Sequence, residues 1–198
     1  TAYEIYQCDW SSDVCSSDLA VVTEDEAKTY VNTYREANDK VIKLWKKGDE
    51  AIALLANWDK TKPFYYGKHR CLKVYKEGIQ LPNGLYIRYP ELKLNTEESK
   101  SQYEYQSRKG PVSLWGGSLV ENVVQALARI VVGEQMLEIQ RRYRVALTVH
   151  DAAVVVVPEE EKDEAMAYIV ECMSTPPEWC KDLPVACEAK FAESYGEC

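Results

Sequence analysis

The chain has 198 residues, of which 46% are hydrophobic and 28% charged, a composition typical of a water-soluble globular protein. It has no run of about 18 apolar residues, so the sequence predicts no membrane-spanning helix. The net charge is −8, and the residues from Pro158 onward account for all of it, with eleven acids against three bases. Nucleic-acid-binding domains are normally strongly basic, so the totals argue mildly against one but leave room for a local basic groove.

The seven cysteines are scattered, odd in number and without CxxC spacing. Free thiols in a reducing compartment fit this pattern better than zinc sites or disulfides do. The chain also opens without a charged-then-apolar leader. We therefore expect a cytoplasmic protein.

Residues 1–22 are expected to be a non-native or disordered leader. Within it, Ser11–Leu19 reads SSDVCSSDL and carries the triplet SSD twice. This segment resembles a translated sequencing-adapter fragment; the alternative is a Ser/Asp-rich loop that happens to repeat. Ordering the backbone of this segment would cost about 1–2 kcal/mol per residue in conformational entropy. Burial of its few apolar side chains cannot offset that cost. We therefore expect Trp10–Leu19 to contribute nothing to the fold.

Two long stretches predict helices. In residues 23–60, Thr23 and Glu26 have the form of a capping box, and Asn38-Asp39 should divide the stretch into two helices. Ser118–Ile139 begins with a second apparent capping box, Ser118 with Glu121, and is apolar almost all round, which is typical of a buried helix.

One narrow polar stripe interrupts this second stretch. Glu121, Gln125 and Arg129 are spaced four residues apart, so their side chains lie along one face of the helix. Such a stripe on a buried helix should face a wet groove or a ligand. The alternative is that Glu121 and Arg129 only border a solvated edge.

Residues 60–94 combine bases with aromatics, a mixture that suits phosphate contacts and base stacking but also an ordinary solvated loop. The bases and aromatics concerned are Lys60, Lys62, Lys68, His69, Arg70, Lys73 and Lys76 with Phe64, Tyr65 and Tyr66. Turns at Lys76-Glu77 and at Pro82-Asn83-Gly84 predict two hairpins. Gln102–Gln106 and Val112–Trp115 are further short predicted strands.

The stretch Arg144–Pro158, RVALTVHDAAVVVVP, predicts a hairpin of two β-branched strands joined at His150-Asp151-Ala152. Burying the lone carboxylate of Asp151 would be costly, so the tip must reach solvent, a basic partner or a metal. A helix should follow from Pro158, and Pro184–Phe191 is expected to be a last strand.

Three runs carry a resemblance to a known family. They are GGSLVENVVQALARIVVGEQM, RVALTVHDAAVVVVPEEE and CMSTPPEWCKDLPVACEAKFAESYGEC. Together they resemble the C-terminal part of family A (DNA polymerase I-like) DNA polymerases, bacteriophage type, and the resemblance covers residues 20–198. It implies an α+β fold in which a small antiparallel palm-type sheet with a His-Asp hairpin packs against several helices. Residues 23–60 would then be fingers-type helices and 61–198 a palm-type portion with the catalytic hairpin at 144–158.

The resemblance also implies residue roles. Asp151 matches the palm aspartate that, with a second aspartate, holds two Mg²⁺ ions, and His150 matches a histidine near the primer terminus. Gln125 matches a glutamine that contacts the duplex minor groove, with Glu121 and Arg129 beside it on the nucleic-acid-binding stripe. The implied partners are primer-template DNA and deoxynucleoside triphosphates, with no membrane, in the cytoplasm of a phage-infected bacterial host.

The sequence departs from the family pattern at several points. Ala152 stands where the family usually has an acid, Glu121 where relatives outside the phage branch often have Asn, and Ile130 where Asp is frequent. No motif matches the first palm aspartate, and no Arg-x₃-Lys-x₆-Tyr-Gly helix is present to grip the nucleotide; the adapter-like segment lies about where that helix should end. Because two metal ions need at least two carboxylates, we expect a polymerase fragment that is inactive alone.

Three alternatives stay open at this point. A single-subunit RNA polymerase relative shares the His-Asp hairpin, although the phage-like C-terminal run argues against it. A non-catalytic nucleic-acid-binding module would tolerate the absent carboxylate. A His-Asp metal hydrolase needs more histidines than His69 and His150 provide.

Overall fold

A computed structural model of the chain describes residues 2–5, 23–59, 64–96 and 102–194. They fall into two compact units, one holding the described residues from Thr23 to Ala126 and the other holding residues 2–5 together with those from Leu127 onward. Helices and small antiparallel sheets are both present, which confirms the predicted α+β class. Among the described residues, no helix is long and apolar enough to cross a membrane.

The unit that ends at Ala126 begins with two helices, α1 (Glu24–Ala37) and α2 (Asp39–Ala56), divided at Asn38 as predicted. The predicted capping box is also confirmed. The Thr23 N–H donates to the Glu26 carboxylate at 2.8 Å, and the Thr23 hydroxyl accepts from the Glu26 N–H at 3.4 Å. These hydrogen bonds to Thr23 lower the pKa of the Glu26 carboxyl.

Two antiparallel sheets follow in this unit. The first has the strand order β2 (Phe64–Tyr66), β3 (Leu72–Tyr75), β4 (Gly78–Gln80), β5 (Tyr86–Ile87), so both predicted hairpins are confirmed. Its inner face is buried through Tyr66, Leu72, Val74 and Ile79, and the Tyr66 hydroxyl donates to the Leu44 carbonyl of α2 at 3.4 Å. The second sheet contains β6 (Lys93–Asn95), β7 (Gln102–Ser107) and β8 (Gly110–Leu114), in agreement with the strands predicted there.

The long helix α3 (Gly116–Gln140) begins two residues earlier than predicted. The predicted capping box at Ser118 is therefore wrong, because Ser118 already lies in the first turn. An acceptor from α2 replaces it: the Asp49 carboxylate accepts from the Gly116 N–H at 2.6 Å. The helix is also less buried than its composition indicates, since the side chains of Val124 and Leu137 are 56% and 71% exposed.

The other unit contains a sheet of order β1 (Ala2–Ile5), β10 (Ala152–Val156), β9 (Val145–Val149), with antiparallel neighbours. A 3₁₀ turn at Glu159–Glu161 leads into α4 (Lys162–Ser174), consistent with the helix predicted from Pro158. The core lies between the sheet and the helices and contains Ile139, Tyr143, Val155, Val157, Ala165, Ile169, Cys172 and Met173. Of the leader, the structure describes Ala2–Ile5; the adapter-like segment 11–19 lies outside the described residues.

The last predicted strand, Pro184–Phe191, is wrong. The chain there is irregular and is held by side chains instead of a strand ladder. Cys187 and Ala189 pack on the core, and the Cys187 thiol donates to the Val170 carbonyl at 3.7 Å. Cys187 and the buried Cys172 are free thiols, as expected, and burial raises the pKa of the Cys172 thiol.

Candidate functional site

The hairpin formed by β9 and β10 places His150 and Asp151 in a two-residue turn, because Val149 pairs directly with Ala152. His150 has a φ of 54°, in the left-handed region that short hairpin turns use and that His tolerates better than most residues. Residues 152–155 are fully buried, whereas Asp151 is half-buried and His150 is exposed. The Asp151 carboxylate therefore stands at the edge of solvent, at the end of an apolar strand.

The hairpin contains a β-bulge that the sequence does not reveal. Val154 pairs with Leu147, but the next residue, Val155, pairs with Val145, so Ala146 has no counterpart on β10. Bulges increase strand twist and redirect the side chains that follow them, and they are frequent next to active sites. Here the bulge lies a few residues before the turn and helps to set the direction in which the tip points.

The hairpin base is fixed to the helices of its unit. Val145 and Val155 pack into the core cluster with α4, and the Gln140 side chain at the end of α3 accepts from the Val145 N–H at 2.9 Å. Because both strands leave a packed core, the position of the tip follows from rigid elements and does not depend on a loop.

The predicted polar stripe lies on the surface of α3. Glu121, Gln125 and Arg129 are all exposed, and the Gln125 amide donates to the Glu121 carboxylate at 3.3 Å. Glu121 and Gln125 belong to the unit that ends at Ala126, whereas Arg129, His150 and Asp151 belong to the other. The stripe is thus accessible to a ligand, and Glu121 restrains the amide of Gln125.

The described residues bring no group of three potential metal ligands together at the hairpin tip. Asp151 supplies one carboxylate, and in the part of the chain that the structure describes it belongs to no group of three potential metal ligands. Glu159–Glu161 follow the opposite end of β10, a strand of five residues and thus roughly 16 Å from the tip. A pair of Mg²⁺ ions needs at least one more carboxylate.

A cavity of about 410 Å³ lies between α3, α4 and the chain around Pro177. It contains none of the residues predicted for the site. Four carboxylates line its walls and would repel DNA phosphates, so we assign it no role in nucleic-acid binding. The four are Glu134, Glu138, Glu171 and Glu178.

Comparisons with known proteins support the sequence resemblance in its coarser form. The chain is 29% identical to the DNA polymerase of Bacillus phage SP02 over 185 residues, which is 88% of this chain and 28% of the phage protein. It is also 29% identical over 163 residues, or 81% of its length, to the mitochondrial DNA polymerase I B of Oryza sativa subsp. japonica. The chain is a relative of DNA polymerases.

The chain is much shorter than the two DNA polymerases that it matches. It spans 28% of the phage polymerase and 14% of the plant polymerase. No family model matches the chain. No solved structure matches it either.

Proposed function

We propose that the chain is the C-terminal palm and fingers portion of a family A DNA polymerase of bacteriophage type, an enzyme that adds deoxynucleotides to a primer 3′ end. The observation that carries this proposal is the half-buried Asp151 at the tip of a hairpin, directly before the buried residues 152–155, in a chain aligned over 88% of its length with a phage DNA polymerase. Residues 23–60 are assigned to the fingers and 61–198 to the palm.

Asp151 is the proposed metal ligand, for a pair of Mg²⁺ ions. The second carboxylate of the metal site is assigned to the natural sequence upstream of Ala20, and on this assignment the 198-residue chain is inactive on its own. His150, exposed beside Asp151 in the same turn, is assigned to the primer terminus. The residues on either side of the turn, Val149 and Ala152, have no side-chain oxygen or nitrogen.

Gln125, Glu121 and Arg129 are the proposed DNA contacts of α3. A glutamine amide has two N–H donors, and Glu121 accepts from this group. The remaining donor capacity can serve the minor-groove acceptors, adenine N3 and thymine O2, which look alike in every A·T pair. A contact of this kind holds a duplex without reading its sequence, as a polymerase requires. Arg129, one helical turn further along α3, is assigned to a phosphate of the duplex.

Asp151→Asn in the complete polymerase, the chain joined to its natural upstream sequence, tests the proposal. The variant should lose primer extension but keep duplex binding, because a metal ligand is removed while the DNA contacts stay. Asp163→Asn, at an exposed acid in α4, is the matched control and should extend primers normally. Near-normal extension by Asp151→Asn refutes the assignment.

The incomplete carboxylate set favours one second candidate, a non-catalytic nucleic-acid-binding module. The two functions differ in the complete protein. A module binds primer-template DNA but extends no primer at any Mg²⁺ concentration, whereas the polymerase does both.

A further inference from the structure

Residues 64–90 differ in charge from the rest of this acidic chain. They contain five Lys and Arg residues against one acid, Glu77, and five of the fourteen tyrosines. The bases are Lys68, Arg70, Lys73, Lys76 and Arg88. A basic patch of this kind on a protein of net charge −8 indicates a polyanionic partner for this part of the surface.

Strand register places the polar residues of this segment on one face of the sheet. Tyr65 pairs with Lys73, Lys73 with Gln80, and Gln80 with Tyr86, which forms a single row across four strands. Tyr75 shares that face because it lies two residues after Lys73. The opposite face holds the buried core residues of β2–β5. We call the outer surface the tyrosine face; it comprises Tyr65, Lys73, Tyr75, Gln80 and Tyr86 and contains no acid.

The rings of this face lie next to cations. The Arg70 guanidinium is 3.9 Å from the centroid of the Tyr65 ring, and Tyr65 is 39% exposed. The Tyr75 and Tyr86 rings are 6.2 Å apart, and Arg88 lies 5.9 Å over Tyr86. Tyr65 and Tyr86 are three strand spacings apart, roughly 14 Å. Two separate ring-and-guanidinium platforms therefore share one surface.

The backbone that carries Arg70 is strained. Both His69 and Arg70 have a φ of 56°, an uncommon left-handed conformation for residues other than glycine. Such strain is concentrated where the surrounding structure holds a side chain for a ligand. Here the conformation accompanies the placement of the Arg70 guanidinium over the Tyr65 ring.

We propose that the tyrosine face, with Arg70 and Arg88, binds single-stranded DNA. Tyrosine rings stack on unpaired bases of any sequence, and Lys and Arg between them meet the phosphates. In duplex DNA the base faces already stack on one another, so they cannot stack on the tyrosine rings. An acidic protein would pair with the Lys and Arg side chains but leave the tyrosine rings without a stacking partner. The inference rests on the proposed function for the choice of DNA over RNA, and it assigns the surface to an unpaired template strand.

Fluorescence anisotropy with the 198-residue chain tests this inference. The probes are a labelled 20-nucleotide oligothymidylate and an abasic strand of the same length, which has the same phosphates but no bases. The chain should bind the first more tightly than the second. Tyr65→Ala and Tyr86→Ala should each weaken oligothymidylate binding by about 5- to 150-fold, the range expected for one stacked base. Lys73→Gln should reduce the slope of log affinity against log salt by about 0.7.

Matched controls separate binding from folding. Tyr34→Ala removes an exposed tyrosine of α1 and should leave the affinity unchanged. Tyr65→Phe retains the ring and should bind as the parent chain does, while circular dichroism checks that each variant is folded. Equal affinity for the oligothymidylate and the abasic strand overturns the proposal and would point to an acidic partner. An unchanged oligothymidylate affinity in the Tyr65→Ala/Tyr86→Ala double variant overturns it as well.

The oligothymidylate-binding experiment and the primer-extension experiment test the two proposals separately. The anisotropy experiment involves no metal and none of the residues of the hairpin tip, so Asp151→Asn should bind oligothymidylate normally. Loss of primer extension in Asp151→Asn combined with no effect of the tyrosine variants refutes the single-strand site alone. The reverse pattern refutes the polymerase assignment alone.

Discussion

The Asp49 carboxylate accepts a 2.6 Å hydrogen bond from the backbone N–H of Gly116, a residue 67 positions further along the chain. The first N–H groups of a helix have no partner within it, and the helix dipole favours a negative charge at that end. Asp49 therefore caps α3 from the neighbouring helix. The two backbones approach closely, since a Cβ on Gly48 would come within 2.6 Å of the Gly116 carbonyl oxygen.

Asp49→Ala should destabilise the protein by about 1 kcal/mol, the usual value of a helix cap. Urea unfolding followed by circular dichroism measures the difference. Glu50→Ala is the matched control, because Glu50 is an exposed acid in the interior of α2, away from a helix N-terminus, and should cost less than half as much. Equal effects of the two variants would show that Asp49 has no capping role.

Two glycines of α3 should respond to alanine in opposite ways. A Cβ on Gly116 would overlap the Trp45 carbonyl oxygen, so Gly116→Ala should destabilise the fold. Gly133 has no neighbour within 4 Å of a Cβ, so Gly133→Ala should stabilise it by about 0.5–1 kcal/mol through helix propensity. Thermal unfolding of both variants tests the pair; destabilisation by Gly133→Ala would contradict this account of α3.

Local patterns predicted much of this fold from the sequence. The Thr23 capping box, the break at Asn38 and the hairpin turns depend on residues within a few positions of one another, and all were found as predicted. Features that depend on distant residues were missed. The cap of α3 comes from Asp49, which no pattern around Ser118 could show, and the irregular segment at 184–191 is held by packing of Cys187 on the core.

The candidate site shows the same division. Its hairpin follows from β-branched residues on either side of His150-Asp151, whereas the Ala146 bulge is a matter of register that leaves no mark on composition. The sequence shows tyrosines grouped with basic residues. From the sequence alone, this grouping fits an ordinary solvated loop as well as a nucleic-acid-binding surface. Strand pairing places Tyr65 and Lys73 on the outer face of the sheet and Tyr66 on the opposite, buried face.

Acid should weaken the cap of α1. Hydrogen bonds lower the pKa of Glu26 in the folded chain, so this carboxylate contributes stability above its ordinary pKa and loses that contribution as the pH falls through the lowered value. A carboxyl NMR titration should find the midpoint of Glu26 below the ordinary range of a glutamate carboxyl. Thr23→Ala should return the Glu26 midpoint to the ordinary range, and a midpoint that does not move would contradict the capping box.

The α3 stripe should affect DNA binding in two different ways. Gln125→Ala should weaken primer-template binding to a similar degree for A·T-rich and mixed sequences, because minor-groove acceptors are shared. Arg129→Ala should lower the slope of log affinity against log salt by about 0.9, as expected for one lost phosphate contact. Arg141→Ala, an exposed arginine paired with Glu138, serves as the control. Unchanged affinity in both stripe variants would leave the stripe as a solvated edge.

The last prediction concerns the natural sequence upstream of Ala20. The proposed polymerase needs a second carboxylate for its metal ions and cations for the triphosphate of the nucleotide, and Asp151 alone provides neither. The segment Ser11–Leu19 resembles a translated sequencing adapter. In the source genome, the codons immediately before Ala20 should therefore differ from the codons that encode SSDVCSSDL. We expect them to encode an aspartate motif followed by a helix with the Arg-x₃-Lys-x₆-Tyr-Gly pattern.

Amplification across this junction from the source DNA, followed by sequencing, gives the answer. A natural reading frame that continues through SSDVCSSDL, with no aspartate motif before it, would refute the prediction and favour the non-catalytic module. If the predicted motif is found, joining it to residues 20–198 should produce primer extension that the 198-residue chain lacks. Replacement of the new aspartate by Asn should then abolish extension as completely as Asp151→Asn does, because each variant removes one of the two carboxylates that hold the metal ions.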